Sequence, residues 1–378
     1  MPTLLIYGDT VRNPSLRHEV PLEIMDPFLF VEHEGRPHVL TNALERPRIA
    51  RLMPDAEIVT GDQLGVFDLI EQGMTREQAL IEIALRAVQR WGVESAVVPP
   101  DLPVAVADRV RAEGIELTVD TKQVDDRRRV KSHDEMAGML RAQRAAEAGM
   151  RAGEGLIRGA ERRDGRLRHD GHDLTAETVR DAVRAACANA GAPAPPDIMV
   201  TSVWSGGGHD PGSGPLPVDL PIEIDVWPRD EGSACWADMT RTFVNGEVSD
   251  DVAGLRDVVR DALEQVRAAT KPGVSGRALY DIAAEVVERA GYPTLRTREP
   301  GETLTRGFSF GLGHGVGLEV HEQPGLGLAG GEALVAGDVI AIEPGIEGIE
   351  GIGGVRYEDL LLVTDDGCQT LTDYPYDL

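Results

Sequence analysis

Cysteine is scarce in this chain of 378 residues, and its scarcity argues against two kinds of structure. The three cysteines, Cys187, Cys235 and Cys368, lie far apart and form no CxxC pair. An odd number at such spacing argues against a disulfide framework and against a thiolate zinc site, so we expect a reducing compartment. No apolar run approaches the roughly 18 residues that a membrane span needs, and the first residues, MPTLLIYGDT, do not resemble a secretory signal. A cytoplasmic protein is therefore expected.

Positive charge is also in short supply. The chain has 64 acidic residues against 38 lysines and arginines, which gives a formal net charge of −26. Such a chain is repelled by phosphate backbones and by anionic lipid surfaces, so neither nucleic acid nor a membrane is an expected partner. Aromatic residues make up only 4% of the sequence, and the 42% of hydrophobic residues must therefore build a largely aliphatic core.

The first third of the sequence alternates strand and helix signals. Strands are predicted at 3–8, 28–33 and 37–41, with Gly35 in a turn at hairpin spacing between the last two. Helical periodicity over 75–91 and 105–112 is followed in each case by a further short strand-like run. This order predicts a small α/β domain over residues 1–124.

The remainder, residues 125–378, changes character. A connecting helix is predicted over 125–160, and three more helices are predicted to begin at Thr175, after Ser249 and after Ser275. Strand-like runs stand between and after them, which predicts an α+β domain with antiparallel strands. The polar segment 165–177 is expected to be a loop, and the segment 296–307 is expected to be a mobile loop beside an active site.

Five residues of metal-ligating type lie at or beside the ends of these strand-like runs. They are Asp225, Asp238, His314, Glu343 and Glu358. A carboxylate inside an apolar strand is costly unless it is paired or ligated, so four such acids predict a common cation. Their summed charge exceeds that of one divalent ion, which favours two. Oxygen-rich ligands with one imidazole suit Mn(II) best, with Co(II) or Zn(II) as alternatives.

The motifs around these residues resemble those of the pita-bread metallopeptidase family, which includes methionine aminopeptidase, aminopeptidase P and prolidase. The resemblance covers roughly residues 130–370. Asp225 in PIEIDV and Asp238 in DMTRTF match the two aspartate ligands, and His314 in GHGVGLEVHE matches the histidine ligand. Glu343 in EPGI and Glu358 in VRYED match the two glutamate ligands, the second of which bridges both ions. The resemblance implies a C-terminal pita-bread domain preceded by a smaller α/β domain.

The same resemblance implies roles for residues outside the ligand set. His321, seven positions after His314, matches a histidine that contacts the substrate, and His209 resembles the family's other active-site histidine. Arg356 matches an arginine that supports the ligands, and Thr240 stands where it could orient Asp238.

One departure from the family pattern concerns the first aspartate motif. Here DVW stands in place of DxG, and Asp225 and Asp238 are thirteen positions apart, which predicts a longer loop between their strands. Trp227 is a candidate for lining a subsite. Asp230 is a weaker candidate ligand than Asp225, because it falls within that loop.

The resemblance implies hydrolysis of a peptide bond by a hydroxide that bridges two metal ions. Glu343 is the candidate proton shuttle, and His321 and His209 would steady the carbonyl oxygen. Because the N-terminal domain resembles a shortened form of that in prolidases and aminopeptidase P, the predicted activity is that of an Xaa-Pro dipeptidase. Its expected substrates are short proline-containing peptides, and a homodimer is expected.

Three alternatives stay open. The first is an Xaa-Pro aminopeptidase acting on longer peptides, because the segment 321–343 lacks the arginine with which prolidases commonly hold the proline carboxylate. In a dipeptidase, Arg46 or Arg48 of a neighbouring subunit would have to hold it. The second is a non-catalytic binding module, which retention of all five ligands disfavours. The third is a second metal site at His169 and His172, which are more simply surface residues.

Overall fold

The computed structural model describes residues 2–202 and 210–378. The chain divides into two compact units, Met1–Arg128 and Arg129–Leu378. None of the helices in the described parts of the chain has the length and apolar character that crossing a bilayer requires.

The first unit is built on a mixed six-stranded sheet. Its strands are β1 (Leu4–Gly8), β2 (Phe28–His33), β3 (Arg36–Thr41), β4 (Glu57–Thr60), β5 (Ser95–Val98) and β6 (Glu116–Val119). They lie in the order β4-β3-β2-β1-β5-β6. The central pairs β1/β2 and β2/β3 are antiparallel, and the outer pairs are parallel. Alternating side chains of β1 enter apolar clusters on opposite faces of the sheet, Leu5 on one face and Leu4 with Ile6 on the other.

The helices of this unit include three that the sequence patterns did not predict. The six α-helices among its described residues are α1 (Pro14–Glu19), α2 (Arg46–Leu52), α3 (Val66–Glu71), α4 (Arg76–Arg90), α5 (Val104–Arg111) and α6 (Thr121–Arg129). The first three have six or seven residues, too few for a periodic pattern to stand out. The predicted hairpin turn is confirmed, because Glu34 and Gly35 both have positive φ, 52° and 73°, as a two-residue turn of the primed type requires.

Four long helices cover the second unit: α7 (His133–Gly159), α8 (Ala176–Asn189), α9 (Asp250–Ala269) and α10 (Gly276–Arg289). Thr175, Ser249 and Ser275 are the N-caps of the last three, as predicted. The continuous connecting helix predicted from residue 125 is wrong. Ser132 and Glu135 form a reciprocal capping box, which starts α7 at His133 and separates it from α6.

Every strand pair of the second unit is antiparallel within the described residues. A three-stranded sheet contains β10 (Met199–Ser202), β11 (Ile222–Val226) and β12 (Met239–Phe243). A five-stranded sheet contains, in spatial order, β14 (Glu322–Leu326), β13 (Gly313–Gly315), β15 (Val339–Ile342), β18 (Asp359–Val363) and β19 (Cys368–Thr370). A two-stranded ribbon is formed by β16 (Gly345–Ile349) and β17 (Gly353–Arg356).

The expected loop at 165–177 instead contributes to a small sheet, which is a correction to the prediction. Its strands are β7 (Glu161–Arg163), β8 (Arg166–His169) and β9 (His172–Asp173). Leu167 is fully buried in an apolar cluster and anchors the sheet, and Asp170 and Gly171 make its tight turn at φ of 51° and 79°. Leu167 is the one buried residue within these three strands, so no alternation of apolar and polar residues marked them in the sequence.

Candidate metal centre

The structure brings all five predicted ligands together. One ligand atom from each of Asp225, Asp238 and Glu358 lies within 4.8 Å of the others. A second group of the same kind joins His314 and Glu343 to Glu358, so Glu358 belongs to both. Four carboxylates and one imidazole therefore occupy one site.

Two neighbouring strands carry the aspartates. Asp225 lies within β11, directly opposite Thr240 of β12, and Asp238 immediately precedes β12. Side chains two positions apart in a strand point to the same face, so Asp238 and Thr240 face the side on which Asp225 lies. Ile222, Ile224 and Val226 are fully buried on the opposite face, and this packing fixes the register of the aspartates.

The other three ligands come from the five-stranded sheet, where strands are interrupted beside the site. His314 is central in β13, Glu343 directly follows β15, and Glu358 directly precedes β18. The Nε2 atom of His314 lies 3.7 Å from Oδ2 of Asp238 and 3.8 Å from Oε1 of Glu343. Tyr357 and Glu358 separate β17 from β18, and this interruption frees the Glu358 side chain to enter the site.

Burial and like charge disfavour the ionised forms of these acids. Desolvation and the neighbouring carboxylates raise the pKa of Asp238 and of Glu358 well above the ordinary range. Desolvation raises the pKa of Glu343 to about 7, and Arg356 opposes the shift. Among the described residues, Oδ1 of Asp225 is buried without a hydrogen-bond partner. Such a site has an excess of negative charge that a cation would relieve.

Arg356 is the basic residue of the cluster, and four carboxylates surround it. Its Nη2 atom lies 2.8 Å from Oδ2 of Asp225 and 2.8 Å from Oε1 of Glu223. Its Nη1 atom lies 3.4 Å from Glu343, and its Nε atom lies 3.9 Å from Glu347. Glu223 and Glu347 were missed at the sequence level. The alternation in PIEIDV could have revealed Glu223, since it lies two positions before Asp225 on the same face of β11.

Thr240 does not orient Asp238, which corrects the prediction for this residue. Its hydroxyl donates a hydrogen bond to Oε2 of Glu358 over 2.8 Å. Oδ1 of Asp238 accepts instead from the backbone N–H of Met239. The sequence places Thr240 near Asp238, but the antiparallel pairing turns its hydroxyl toward the glutamate.

Of the two predicted active-site histidines, His321 is among the residues that the structure describes and His209 is not. His321 is exposed, its ring centroid lies 4.1 Å from that of His314, and it forms a third ligand-type group with His314 and Asp238. The adjacent Glu322 forms a buried ion pair with Lys131. His209 lies outside the described residues.

The remaining candidate residues are Trp227, Asp230, His169 and His172, and only Trp227 is found at the cavity that holds the clustered ligands. Trp227 lines a cavity of about 320 Å³ together with all five clustered ligands. Asp230 forms a two-bond ion pair with Arg141, at 2.8 Å for each contact, and belongs to none of the ligand groups found among the described residues. His169 and His172 are both exposed and stand opposite each other in the small sheet.

The fold and this site together define a class: an α+β protein whose antiparallel strands converge on a candidate centre for divalent metal ions. Residues 137–365 match metallopeptidase family M24, and because the match covers more than half of the chain, the chain belongs to this family. The resemblance stated from the motifs is thereby confirmed.

Curated relatives align over the part of the chain that holds the site. An Xaa-Pro dipeptidase of Pyrococcus furiosus is 38% identical over 136 residues, which is 36% of this chain and 35% of that protein. An uncharacterised peptidase of Staphylococcus saprophyticus is 40% identical over 138 residues, which is 36% of each chain. The aligned region thus spans about a third of these relatives.

Solved structures match almost the whole chain. The prolidase of Pyrococcus horikoshii has a TM-score of 0.76 at 23% identity, covering 99% of this chain and 94% of its own. The X-Pro aminopeptidase of Thermotoga maritima has a TM-score of 0.73 at 22% identity, with coverage of 100% and 95%. These likenesses confirm the predicted fold, a pita-bread C-terminal domain preceded by a smaller α/β domain.

Proposed function

We propose that this protein is a metal-dependent peptidase that hydrolyses the Xaa-Pro bond of dipeptides. In this proposal Asp225, Asp238, His314, Glu343 and Glu358 hold two divalent metal ions. The observation that carries it is the convergence of these five side chains on one cavity. Family membership and the similarity to the Xaa-Pro dipeptidase of Pyrococcus furiosus support the same function.

The residues present fit a pair of divalent ions. Oδ1 of Asp225 is buried and lacks a hydrogen-bond partner among the described residues, and the pKa values of Asp238 and Glu358 are raised by burial beside other acids. Cations would satisfy the orphaned oxygen and neutralise the clustered carboxylates. The proposed ligands are four carboxylates and one imidazole, a set rich in oxygen. We therefore propose Mn(II), with Co(II) and Zn(II) as alternatives.

When bound, the ions would supply a water nucleophile of lowered pKa and would polarise the scissile carbonyl. Glu343 would take the proton of the attacking water and return it to the leaving nitrogen. His321, exposed beside His314, would donate a hydrogen bond to the carbonyl oxygen as negative charge develops there. His209 is proposed to assist in the same role. Arg356 would hold Asp225 and Glu343 in position through its two terminal nitrogens.

The choice of substrate can be tested directly. The Mn(II)-loaded protein is incubated with Ala-Pro and with Ala-Pro-Ala, and the free alanine is measured over time. The proposal predicts that Ala-Pro is hydrolysed much faster. Comparable rates for the two peptides would favour the alternative, an Xaa-Pro aminopeptidase, which the likeness to the Thermotoga maritima fold motivates.

A non-catalytic module is the alternative from another class. Metal analysis that finds no bound Mn, Co or Zn, together with no hydrolysis of either peptide, would favour it. We further propose that the enzyme is a cytoplasmic homodimer. Light scattering on the purified protein tests the dimer, and fractionation of the source cells tests the location.

A further inference from the structure

The cavity around the candidate metal centre contains one carboxylate that the proposed ligand set does not use. Its described lining includes five carboxylates, of which Asp225, Asp238, Glu343 and Glu358 are proposed ligands. The fifth, Asp197, is exposed, and it forms no hydrogen bond or ion pair with other residues in the described parts of the chain. The Asp197 carboxylate is therefore available to a ligand in the cavity.

An indole side chain lines the same cavity as this carboxylate. Met199, the first residue of β10, pairs with Asp225 near the end of β11, so Asp197 precedes β10 and Trp227 follows β11 at the same end of this strand pair. Both residues line the cavity. Trp227 is packed against an apolar core cluster, which holds its ring in place. Asp197 and Trp227 thus form one wall of the cavity beside Asp225.

We propose that Asp197 and Trp227 form a subsite for a cationic side chain, lysine or arginine, on the residue that precedes proline. The inference rests on the proposed function and names the substrate class within it. An aromatic face attracts an ammonium or guanidinium group, and a carboxylate alongside adds an attraction between opposite charges. Arg356, the basic residue of the lining, is already paired with Glu223 and Asp225, so it does not neutralise the charge of Asp197.

Distance along the strand favours a long side chain. Two residues of extended chain span at most about 6.6 Å, which sets the distance between the backbone of Asp225 in β11 and that of Trp227, the residue that follows the strand. If the scissile carbonyl lies at the ligand cluster, the preceding side chain must bridge this distance to reach the wall. The four-carbon stem of lysine carries its charge that far, whereas alanine has no such reach.

The test compares Lys-Pro with norleucyl-Pro, which has a similar stem and the same N-terminal ammonium but no side-chain charge. With the Mn(II)-loaded protein, kcat/KM for Lys-Pro should exceed that for norleucyl-Pro by about five-fold. Asp197→Asn and Trp227→Leu should bring this ratio toward one, whereas Trp227→Phe should retain most of it. Asp365→Asn is the matched control, because Asp365 is an exposed acid between β18 and β19, and it should preserve the ratio.

Equal values for the two dipeptides, or a preference for Lys-Pro that survives Asp197→Asn, would overturn the inference. If neither these dipeptides nor Ala-Pro is hydrolysed, the proposed function fails, and titration calorimetry then decides the inference alone. Tighter binding of Lys-Pro than of norleucyl-Pro, lost in Asp197→Asn, would support the subsite. Equal binding of the two dipeptides would overturn it.

Discussion

The hydroxyl of Thr240 donates a hydrogen bond to Oε2 of Glu358, and the backbone N–H of Glu358 donates to the carbonyl of Thr240 over 3.1 Å. These two contacts join β12 to the segment that precedes β18. Since Thr240 also stands opposite Asp225 in the β11–β12 ladder, one residue connects two of the proposed ligands. The position of Glu358 in the site therefore depends on a side chain that is not itself a proposed ligand.

Replacement of Thr240 by valine should weaken metal binding. The change keeps the β-branched shape but removes the hydroxyl that orients Glu358, and losses of this kind typically cost about 10- to 100-fold in metal affinity. Titration calorimetry with Mn(II) on the metal-free protein measures the effect. Thr240→Ser keeps the hydroxyl and should retain most of the affinity. An unchanged affinity in Thr240→Val would show that the hydrogen bond does not orient a ligand.

The metal-free protein should be stabilised by Glu343→Gln in a pH-dependent way. Burial raises the pKa of Glu343 from 4.5 to about 7, so the folded state holds a proton that the unfolded state releases between these values. The stability contributed by the protonated acid is therefore present below pH 4.5 and is lost as the pH rises to about 7. The free energy of unfolding of the variant minus that of the wild type should rise over this window and then level off.

Urea unfolding in the presence of a chelator measures this difference across the pH range. Glu350→Gln alters an exposed glutamate between β16 and β17 and controls for the loss of one negative charge. A difference for Glu343→Gln that stays constant with pH would contradict the account of the cluster as mutually repelling buried acids.

Loss of Arg356 should destabilise the fold as well as the site. Arg356→Met removes the cation within 2.8 Å of both Asp225 and Glu223 and leaves buried carboxylates without their partner. Breaking a buried ion pair in this manner costs about 3–5 kcal/mol. Denaturant unfolding of the metal-free protein checks the value, and Arg356→Lys should recover part of the loss because it restores the charge. A stability equal to that of the wild type in Arg356→Met would refute the prediction.

Arg241 should hold residues 374–378, the last residues of the chain, against the second unit. It is almost fully buried, pairs with Asp359 at 2.9 Å, and donates to the carbonyls of Glu358, Tyr374 and Pro375. Arg241→Met should therefore lower the free energy of unfolding by about 3–5 kcal/mol.

The same variant should expose residues 374–378 to carboxypeptidase, which mass spectrometry detects. Arg289→Gln, at the exposed end of α10, is the control and should leave the segment protected. A resistant C-terminus in Arg241→Met would mean that other contacts of the segment are sufficient to hold it.

The clustering of the five proposed ligands could be predicted because each of these side chains interrupts or adjoins an apolar run, and a buried charge requires a partner. The N-caps Ser249 and Ser275 were predictable for a similar reason, since the signal is local to a few residues. Asp225 could be preferred to Asp230 from its place within a strand. The ion pair of Asp230 with Arg141 agrees with that choice.

Contacts between distant segments could not be predicted in this way. The partner of Thr240 is 118 residues away, and which acid its hydroxyl meets is decided by how two sheets approach each other. The four carboxylates around Arg356 likewise come from β11, β16 and the end of β15. The short helices α1 to α3 and the two-residue strand β9 carry too few residues for periodicity to reveal them.

A titration of the metal-free protein with Mn(II), in which bound metal and hydrolysis of Ala-Pro are measured on the same samples, decides whether the cluster of proposed ligands is a catalytic metal centre. Metal-free protein should be inactive, activity should rise with the binding of two ions per chain, and Glu358→Gln should lose metal binding and activity together. Hydrolysis by the metal-free protein, or full activity of Glu358→Gln, would contradict this prediction.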